Sequence, residues 1–114
     1  MPHLPINYAK TIIYKIVCND LTVKGCYVGH TTNFRERKNS HKCRCINENN
    51  LKYHLKLYRI IRANGGWENY KMIEIEKFPC NDANEAGAKE CEHYENLNAS
   101  LNTQKPKQTK AEWV

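Results

Sequence analysis

The chain has 114 residues, of which 40% are hydrophobic, so it is long enough for one domain with a single modest core. It contains no run of about 18 apolar residues, which excludes a membrane-spanning helix. Its first five residues lack the charged and apolar regions of a signal peptide. We therefore expect an intracellular protein of the cytoplasm or nucleus. The net charge of +6 favours an anionic partner, nucleic acid above all, because each neutralised phosphate releases counterions, although a soluble protein that is merely basic carries the same charge.

The first two predicted elements form a β-hairpin. Residues 11–18 alternate and are rich in β-branched types, which predicts a strand, and Asn19-Asp20 supplies a turn signal. A second strand is predicted from about residue 24 to residue 29. The alternation of the first strand places Ile12, Tyr14 and Ile16 on one face and Ile13, Lys15 and Val17 on the other.

A helix is predicted directly after the hairpin. Asn33 is typical of an N-cap, and Glu36 three residues later completes a capping box, so the helix runs from Phe34 to about Cys43. Arg37 and His41 are four residues apart and therefore share one face of this helix.

The second half of the chain predicts two further helices around one strand. Residues 47–50 form a loop, and helical spacing then relates Leu51, Leu55, Tyr58 and Ile61. Gly65-Gly66 ends this helix, and residues 70–78 are typical of a third strand. Asp82 and Glu85 form a second capping box, which begins a helix from Ala83 to about Asn98.

Glu90 has an unusual place on this last helix. At 100° per residue, one apolar arc contains Ala83, Ala86, Gly87, Tyr94, Leu97 and Leu101. Glu90 falls in the middle of the arc, whereas Glu85, Glu92 and Glu95 point elsewhere. A carboxylate in an apolar stripe is costly unless it is paired or bound to a cation. Glu90 is therefore either a metal ligand or catalytic acid, or an acid that is paired with a core-facing arginine or partly exposed at the edge of the stripe.

These elements predict a small α/β protein with a three-stranded antiparallel sheet flanked by helices, in the order β-β-α-α-β-α. We expect residues 1–9 to be an N-terminal extension, residues 10–104 to be the domain, and residues 105–114 to be a basic, mobile tail. The six cysteines would suit disulfides in a secreted protein, but nothing else suggests secretion, so we expect reduced thiols. Cys43-Arg44-Cys45 has the wrong spacing for a zinc knuckle, and we expect no structural zinc.

Four side chains within the first 41 residues are suited to phosphodiester chemistry. Tyr27 follows Tyr14 by thirteen residues, Arg37 follows ten residues later, and His41 four residues after that. Two phenols, a guanidinium and an imidazole can together orient a nucleophile and neutralise a phosphate. Taken singly, each has an ordinary explanation, such as a half-buried strand tyrosine or an exposed helix residue.

The chain resembles the GIY-YIG nuclease superfamily over roughly residues 10–105. The residues that carry the resemblance are Ile13-Tyr14, Tyr27-Val28-Gly29, Arg37, His41, Glu90 and Asn102. The spacing from Tyr27 to His41 matches without gaps, and Asn102 follows Glu90 by twelve residues, as in the family's C-terminal motif. Ile12 stands where the family has its first glycine, which is a backbone or packing position. His30 stands where many members have serine.

The resemblance implies a metal-dependent DNA endonuclease. Glu90 would hold one divalent cation, Mg²⁺ or alternatively Mn²⁺, and Arg37 would stabilise the developing phosphate charge. Tyr14 or Tyr27 would be the general base, and which of them acts stays open. His41 would position groups or relay protons, and Asn102 would organise the site through hydrogen bonds.

Further candidate contacts to the substrate are His30, Lys15 and Lys52, although a solvated charged surface explains the lysines nearly as well. DNA is the expected partner, and a homodimer or a separate specificity partner is compatible with so short a chain. The alternative is a nucleic-acid-binding module that has this fold but does not cleave. A basic interaction domain without a nucleic-acid role is a third possibility.

Overall fold

The computed structural model describes residues 6–102, and these residues form a three-stranded antiparallel sheet with three helices, as predicted. The strands are β1 (Ile12–Cys18), β2 (Cys26–Thr31) and β3 (Tyr70–Lys77), and the α-helices are α1 (Phe34–Ile46), α2 (Lys56–Ala63) and α3 (Ala83–Leu97). Two short 3-10 helices, Tyr8–Lys10 and Trp67–Asn69, were not predicted. None of the helices within residues 6–102 is long and apolar enough to cross a membrane.

The central strand of the sheet is β1, which pairs with β2 on one side and β3 on the other. In the β1–β2 ladder, Tyr14 lies opposite Gly29. In the β1–β3 ladder the register shifts between Ile13 and Tyr14, which lie opposite Glu76 and Glu74. The extra residue is therefore on β3, and the alternation of β1 continues without interruption.

Both faces of the sheet are buried, so β1 contributes to two cores. Tyr14 and Ile16 pack with α2 residues such as Tyr58 and Ile61 on one face. Ile13 packs with Val28 on the other face, where Tyr94 of α3 lies against them. The helices α1 and α2 thus cover one face, and α3 covers the opposite face.

The predicted N-caps begin both long helices, but the return hydrogen bonds of the predicted capping boxes are not formed: Glu36 accepts from the side chain of Asn33, and Glu85 accepts from the N–H of Asn81. The backbone N–H of Glu36 donates to Asn33 Oδ1 at 3.1 Å, and that of Glu85 donates to Asp82 Oδ1 at 3.0 Å. The helix α1 continues to Ile46, three residues beyond its predicted end.

The predicted start of the second helix was wrong. Residues 51–55 form turns, α2 begins only at Lys56, and Leu51 is 98% exposed. Asparagine side chains stabilise the turns instead: Asn47 and Asn50 each accept a hydrogen bond from the backbone N–H two residues later. These local hydrogen bonds compete with a helix and prevail here.

The predicted apolar arc of the last helix was also partly wrong. Ala83 and Leu97 are exposed, and the buried positions of α3 are Ala86, Gly87 and Cys91. Asn98, with φ 52°, ends the helix in the left-handed region, so Leu101 lies beyond it in the core on the Tyr14 face. Glu90 nevertheless belongs to the side of α3 that faces the sheet, because it lies between the buried positions 86, 87 and 91.

Candidate active site

Two tyrosines lie side by side on the face of the sheet covered by α1 and α2. Tyr14 is buried in β1, Tyr27 is half-buried in β2, and their ring centroids are 6.2 Å apart. Gly29 leaves the space that the rings need: a Cβ atom there would lie 2.6 Å from Tyr14 Oη and 3.0 Å from Tyr27 Cε1. The glycine therefore permits the two phenols to occupy one site.

His41 connects this tyrosine pair to a third tyrosine. It projects from α1 and is 1% exposed, with Nε2 at 2.7 Å from Tyr14 Oη and Nδ1 at 2.8 Å from Tyr58 Oη. Its ring stacks on Trp67, with centroids 6.3 Å apart. The helical spacing of Tyr58 in the sequence predicted only a buried position in the second helix, so Tyr58 was not among the candidate site residues.

The buried imidazole is neutral at physiological pH. Burial lowers the pKa of His41 to about 3, and the positive charges of Arg37 and Arg44 act in the same direction. A neutral imidazole has one N–H donor and one acceptor nitrogen. His41 is thus suited to orienting Tyr14 and Tyr58 rather than to carrying charge.

The two phenols differ in how readily they ionise. Burial, together with the charges of Glu90 and Tyr58, raises the pKa of Tyr27 to about 12, although Tyr14 and the positive charge of Arg37 act in the opposite direction. Burial raises the pKa of Tyr14 well above its ordinary value, and the neighbouring Tyr27 adds to this effect. Tyr27 also has the more exposed ring, so it is the phenol better placed to lose a proton and meet a substrate.

Arg37 lies beside the tyrosine pair with its charge uncompensated. Within residues 6–102 its guanidinium makes no hydrogen bond or ion pair, although its charge lowers the pKa of both tyrosines. It lines an open groove of about 700 Å³ together with Lys10, Thr31 and Ser40. A free guanidinium at the edge of an open groove can bind a phosphate in a bidentate manner.

Glu90 of α3 pairs with His30 of β2, an outer strand of the sheet. Its side chain is 15% exposed, and Oε1 lies 2.7 Å from Nδ1 of His30. Its charge raises the pKa of both Tyr14 and Tyr27. His30 therefore lies next to the carboxylate, which explains how Glu90 is accommodated on the sheet side of the helix.

The second oxygen of Glu90 is available for a cation. No hydrogen bond to Oε2 occurs within residues 6–102. This part of the chain contains no group of three or more His, Cys, Asp or Glu side chains that could hold a metal ion. Mg²⁺ in proteins often binds one or two carboxylates and keeps several waters, with substrate phosphates completing the shell. A single accessible carboxylate fits this kind of site.

Asn102 contacts the backbone of β2 rather than the tyrosines. Its Oδ1 accepts a hydrogen bond from the N–H of Val28, and its Nδ2 donates to the carbonyl of Val28, both at 2.9 Å. The side-chain amide thus pairs with the outer edge of β2 as a neighbouring strand would. It holds in place the strand that carries Tyr27 and Gly29.

The remaining candidates lie in different places. His30 adjoins Glu90, whereas Lys15 shares the face of β1 with Ile13 and points away from Tyr14. Lys52 is exposed in the turns that precede α2. The structure brings together Tyr14, Tyr27 and His41, whose ring centroids lie within 6.2 Å of one another, and the charges of Arg37 and Glu90 act on the pKa of both tyrosines. Lys15 lies on the opposite face of the sheet.

The fold is a small α/β domain with a three-stranded antiparallel sheet. The family model of the GIY-YIG catalytic domain matches residues 10–106, which is most of the chain. The protein therefore belongs to the GIY-YIG family of nucleases. No curated protein and no solved structure matches it. The predicted tail, residues 105–114, lies outside the residues that the structure describes.

Proposed function

We propose that the protein is a metal-dependent endonuclease that hydrolyses DNA phosphodiester bonds, with Tyr27 as the general base. The observation that carries this proposal is the position of the half-buried Tyr27 ring, whose centroid lies 6.2 Å from that of Tyr14 and 5.4 Å from that of His41. The positive charge of Arg37 lowers the pKa of the Tyr27 phenol and so favours the phenolate, which is the form that can accept a proton. Tyr14 has a more buried ring and supports the base.

In the reaction, a water oxygen attacks phosphorus in line with the leaving sugar oxygen. A bond forms between the water oxygen and phosphorus, the bond from phosphorus to the leaving oxygen breaks, and the proton of the water passes to the Tyr27 phenolate. The leaving oxygen takes a proton from solvent, and Tyr27 returns its proton to solvent before the next cycle. Arg37 stabilises the charge that develops on the phosphate.

A divalent cation, Mg²⁺ or alternatively Mn²⁺, would bind Glu90, stabilise the leaving oxygen and offset the carboxylate charge that raises the pKa of Tyr27. His30 holds Oε1 of that carboxylate and so leaves Oε2 directed elsewhere. Hydrogen bonding of a ligating carboxylate by a neighbouring side chain is usual at metal sites.

Plasmid nicking with Mg²⁺ or Mn²⁺ tests the proposal. Glu90→Ala and Arg37→Ala should each lower the nicking rate by roughly a hundredfold or more, as expected for loss of a group that stabilises transition-state charge. The matched controls are Glu92→Ala, which removes an exposed glutamate from α3, and Arg59→Ala, which removes an exposed arginine from α2; both variants should nick at the wild-type rate.

Two results would contradict the enzymatic function. Equal nicking by the wild type, Glu90→Ala and Arg37→Ala would indicate a contaminating nuclease. Salt-sensitive DNA binding by a wild-type protein that nicks with neither metal would instead support the binding-module alternative.

A further inference from the structure

The groove lined by Arg37 is one part of a longer depression along α1. Its volume is about 700 Å³, and Lys10 is also among its lining residues. A second depression of about 350 Å³ follows the same helix as far as Asn50. Glu36 and Ser40 line both depressions, so the two adjoin and form one track, which we call the α1 track. A continuous track past a free guanidinium suits a nucleic-acid strand, because the phosphates of a strand follow one another in a line.

Lys10 stands on a short element that is firmly attached to the sheet. It is the last residue of the 3-10 helix Tyr8–Lys10 and lies just before β1. The carbonyl oxygen of Tyr8 accepts three hydrogen bonds, from the N–H of Thr11 at 3.2 Å, from the Thr11 hydroxyl at 2.7 Å and from the N–H of Cys80 at 3.0 Å. These contacts connect the 3-10 helix to the start of β1 and to the segment after β3. The backbone of Lys10 is therefore fixed, and only its flexible side chain adjusts to a ligand in the groove.

Lys10 and Arg37 give the α1 track two positive charges that no ion pair neutralises. Within residues 6–102 the ammonium of Lys10 forms no hydrogen bond or ion pair, and the same holds for the guanidinium of Arg37. Among the described residues that line the groove, Glu36 is the one acid, and its carboxylate accepts a hydrogen bond from the Asn33 amide at 3.2 Å. Both cations are thus available to phosphate oxygens, the groups through which proteins position a nucleic-acid backbone.

We propose that Lys10 binds a DNA phosphate adjacent to the scissile one, so that the cleaved strand follows the α1 track with Arg37 at the scissile phosphate. This inference rests on the proposed endonuclease function. Lys10 contacts only a non-reacting phosphate and exchanges no proton with the substrate. The hydroxyl of Ser40, which lines both parts of the track, is a further donor toward the backbone.

The contact at Lys10 has a defined kinetic signature. A non-reacting phosphate carries the same charge in the ground state and in the transition state, so Lys10 stabilises both states equally. Such uniform binding lowers KM and leaves kcat unaltered, whereas Arg37 raises kcat because it acts on charge that develops at the scissile phosphate. The effects of Lys10 and Arg37 can therefore be separated, although both residues line the same groove.

Lys10→Ala tests this inference, with Lys24→Ala as the matched control. Lys24 is also an exposed lysine, but it precedes β2 in the hairpin loop, at the opposite end of β1. In nicking assays with Mg²⁺ we expect Lys10→Ala to raise KM about tenfold with kcat unchanged, as for loss of one charged contact. Lys10→Arg should retain the wild-type KM because the positive charge is kept, and Lys24→Ala should match the wild type.

Metal-free DNA binding provides a second readout that needs no cleavage. Fluorescence anisotropy with a labelled duplex gives the slope of the logarithm of the association constant against the logarithm of salt concentration. In Lys10→Ala this slope should become shallower by about 0.9, as for one lost phosphate contact. Lys24→Ala and Lys10→Arg should retain the wild-type slope.

Neutral methylphosphonates locate the phosphate that Lys10 contacts. Each duplex of a series carries one methylphosphonate, and cleavage around it is read from an end-labelled strand at a DNA concentration below KM. The wild type should cleave a bond adjacent to the modification more slowly than distant bonds, because the missing charge then lies at Lys10. In Lys10→Ala this deficit should disappear, whereas Lys24→Ala should retain it.

A Lys10→Ala variant with the KM and salt slope of Lys24→Ala would overturn the inference. A fall in kcat with KM unchanged, or a methylphosphonate deficit equal to that of the wild type, would do the same. These failures differ from failure of the proposed function, in which the wild type would bind DNA but nick it with neither metal. In that case the metal-free slope of Lys10→Ala would still decide whether Lys10 binds the backbone.

Discussion

The ionisation of one residue, Tyr27, makes the pH dependence of cleavage predictable. Its pKa is raised to about 12, so the phenolate is the minor form at neutral pH and its fraction grows about tenfold per pH unit. We expect kcat/KM to rise with this slope from about pH 6 to about pH 9 without a plateau. His41 should add no inflection near its ordinary pKa of about 6.5, because it is neutral throughout this range.

The measurement is a pH series of nicking rates at constant ionic strength. Tyr27→Phe should abolish the pH-dependent rate, whereas Tyr53→Phe, which removes a half-buried hydroxyl from the turns before α2, should retain the full slope. A rate that stops rising above about pH 6.5 in the wild type, or an unchanged slope in Tyr27→Phe, would exclude Tyr27 as the base.

The candidate site residues differed in how far the sequence alone could point to them. Tyr14, Tyr27 and Arg37 carry reactive groups at a distinctive spacing, and the spacing sufficed to select them. Tyr58 has the same chemistry, but it occupies an ordinary buried position of α2, and only the folded chain brings its hydroxyl to His41. Lys15 could have been rejected earlier, because the alternation of β1 already placed it on the face opposite Tyr14.

At the scale of elements, alternation and helix-capping residues predicted the strands and helix starts correctly wherever no other local structure competed with them. The strands follow from alternation, and the caps of α1 and α3 follow from Asn33 and Asp82, whose side chains satisfy free backbone N–H groups. Helical spacing failed where asparagine turns competed with it, at residues 47–55. It also failed past Asn98, where the chain leaves the helix and delivers Leu101 to the other face of the sheet.

One element, the β2 strand, depends on the amide of Asn102. Asp at this position keeps the acceptor for the Val28 N–H but loses the donor to the Val28 carbonyl and sets a carboxylate against that oxygen. We expect Asn102→Asp to lower the free energy of unfolding by about 1–3 kcal/mol, the cost of a buried polar group without its partner. Urea unfolding measures this change, and the slope against urea should be unaltered.

The matched control for the Asn102 prediction is Asn39→Asp, an identical change at an exposed position of α1. Its effect should stay within about 0.5 kcal/mol. Equal effects of the two substitutions would show that Asn102 does not support β2. Reduced nicking by Asn102→Asp well below its unfolding transition would show that the placement of Tyr27, and not global stability, depends on this amide.

Across the whole molecule, charge is distributed unevenly between the two faces of the sheet. The helix α1 carries five basic residues and one acidic residue, whereas α3 carries four acidic residues and one basic residue. Arg37 and the groove it lines lie on the α1 side. A polyanion should therefore approach over α1, and the carboxylate of Glu90 should meet it from the opposite helix at the edge of the sheet.

This asymmetry predicts which lysines determine the salt dependence of DNA binding. The double variant Lys38→Glu/Lys42→Glu changes two exposed residues of α1, and the double variant Lys71→Glu/Lys77→Glu changes two exposed residues of β3 by the same total charge. The logarithm of the DNA association constant should fall linearly with the logarithm of salt concentration, and each lost phosphate contact should reduce the slope by about 0.9.

Fluorescence anisotropy with a labelled duplex, without metal, measures both slopes. We expect the α1 variant to lose about two units of slope and the β3 variant to lose less than one, since the α1 lysines lie on the same helix as Arg37. Equal losses in the two variants would mean that DNA responds to the net charge of +6 and not to its placement on α1.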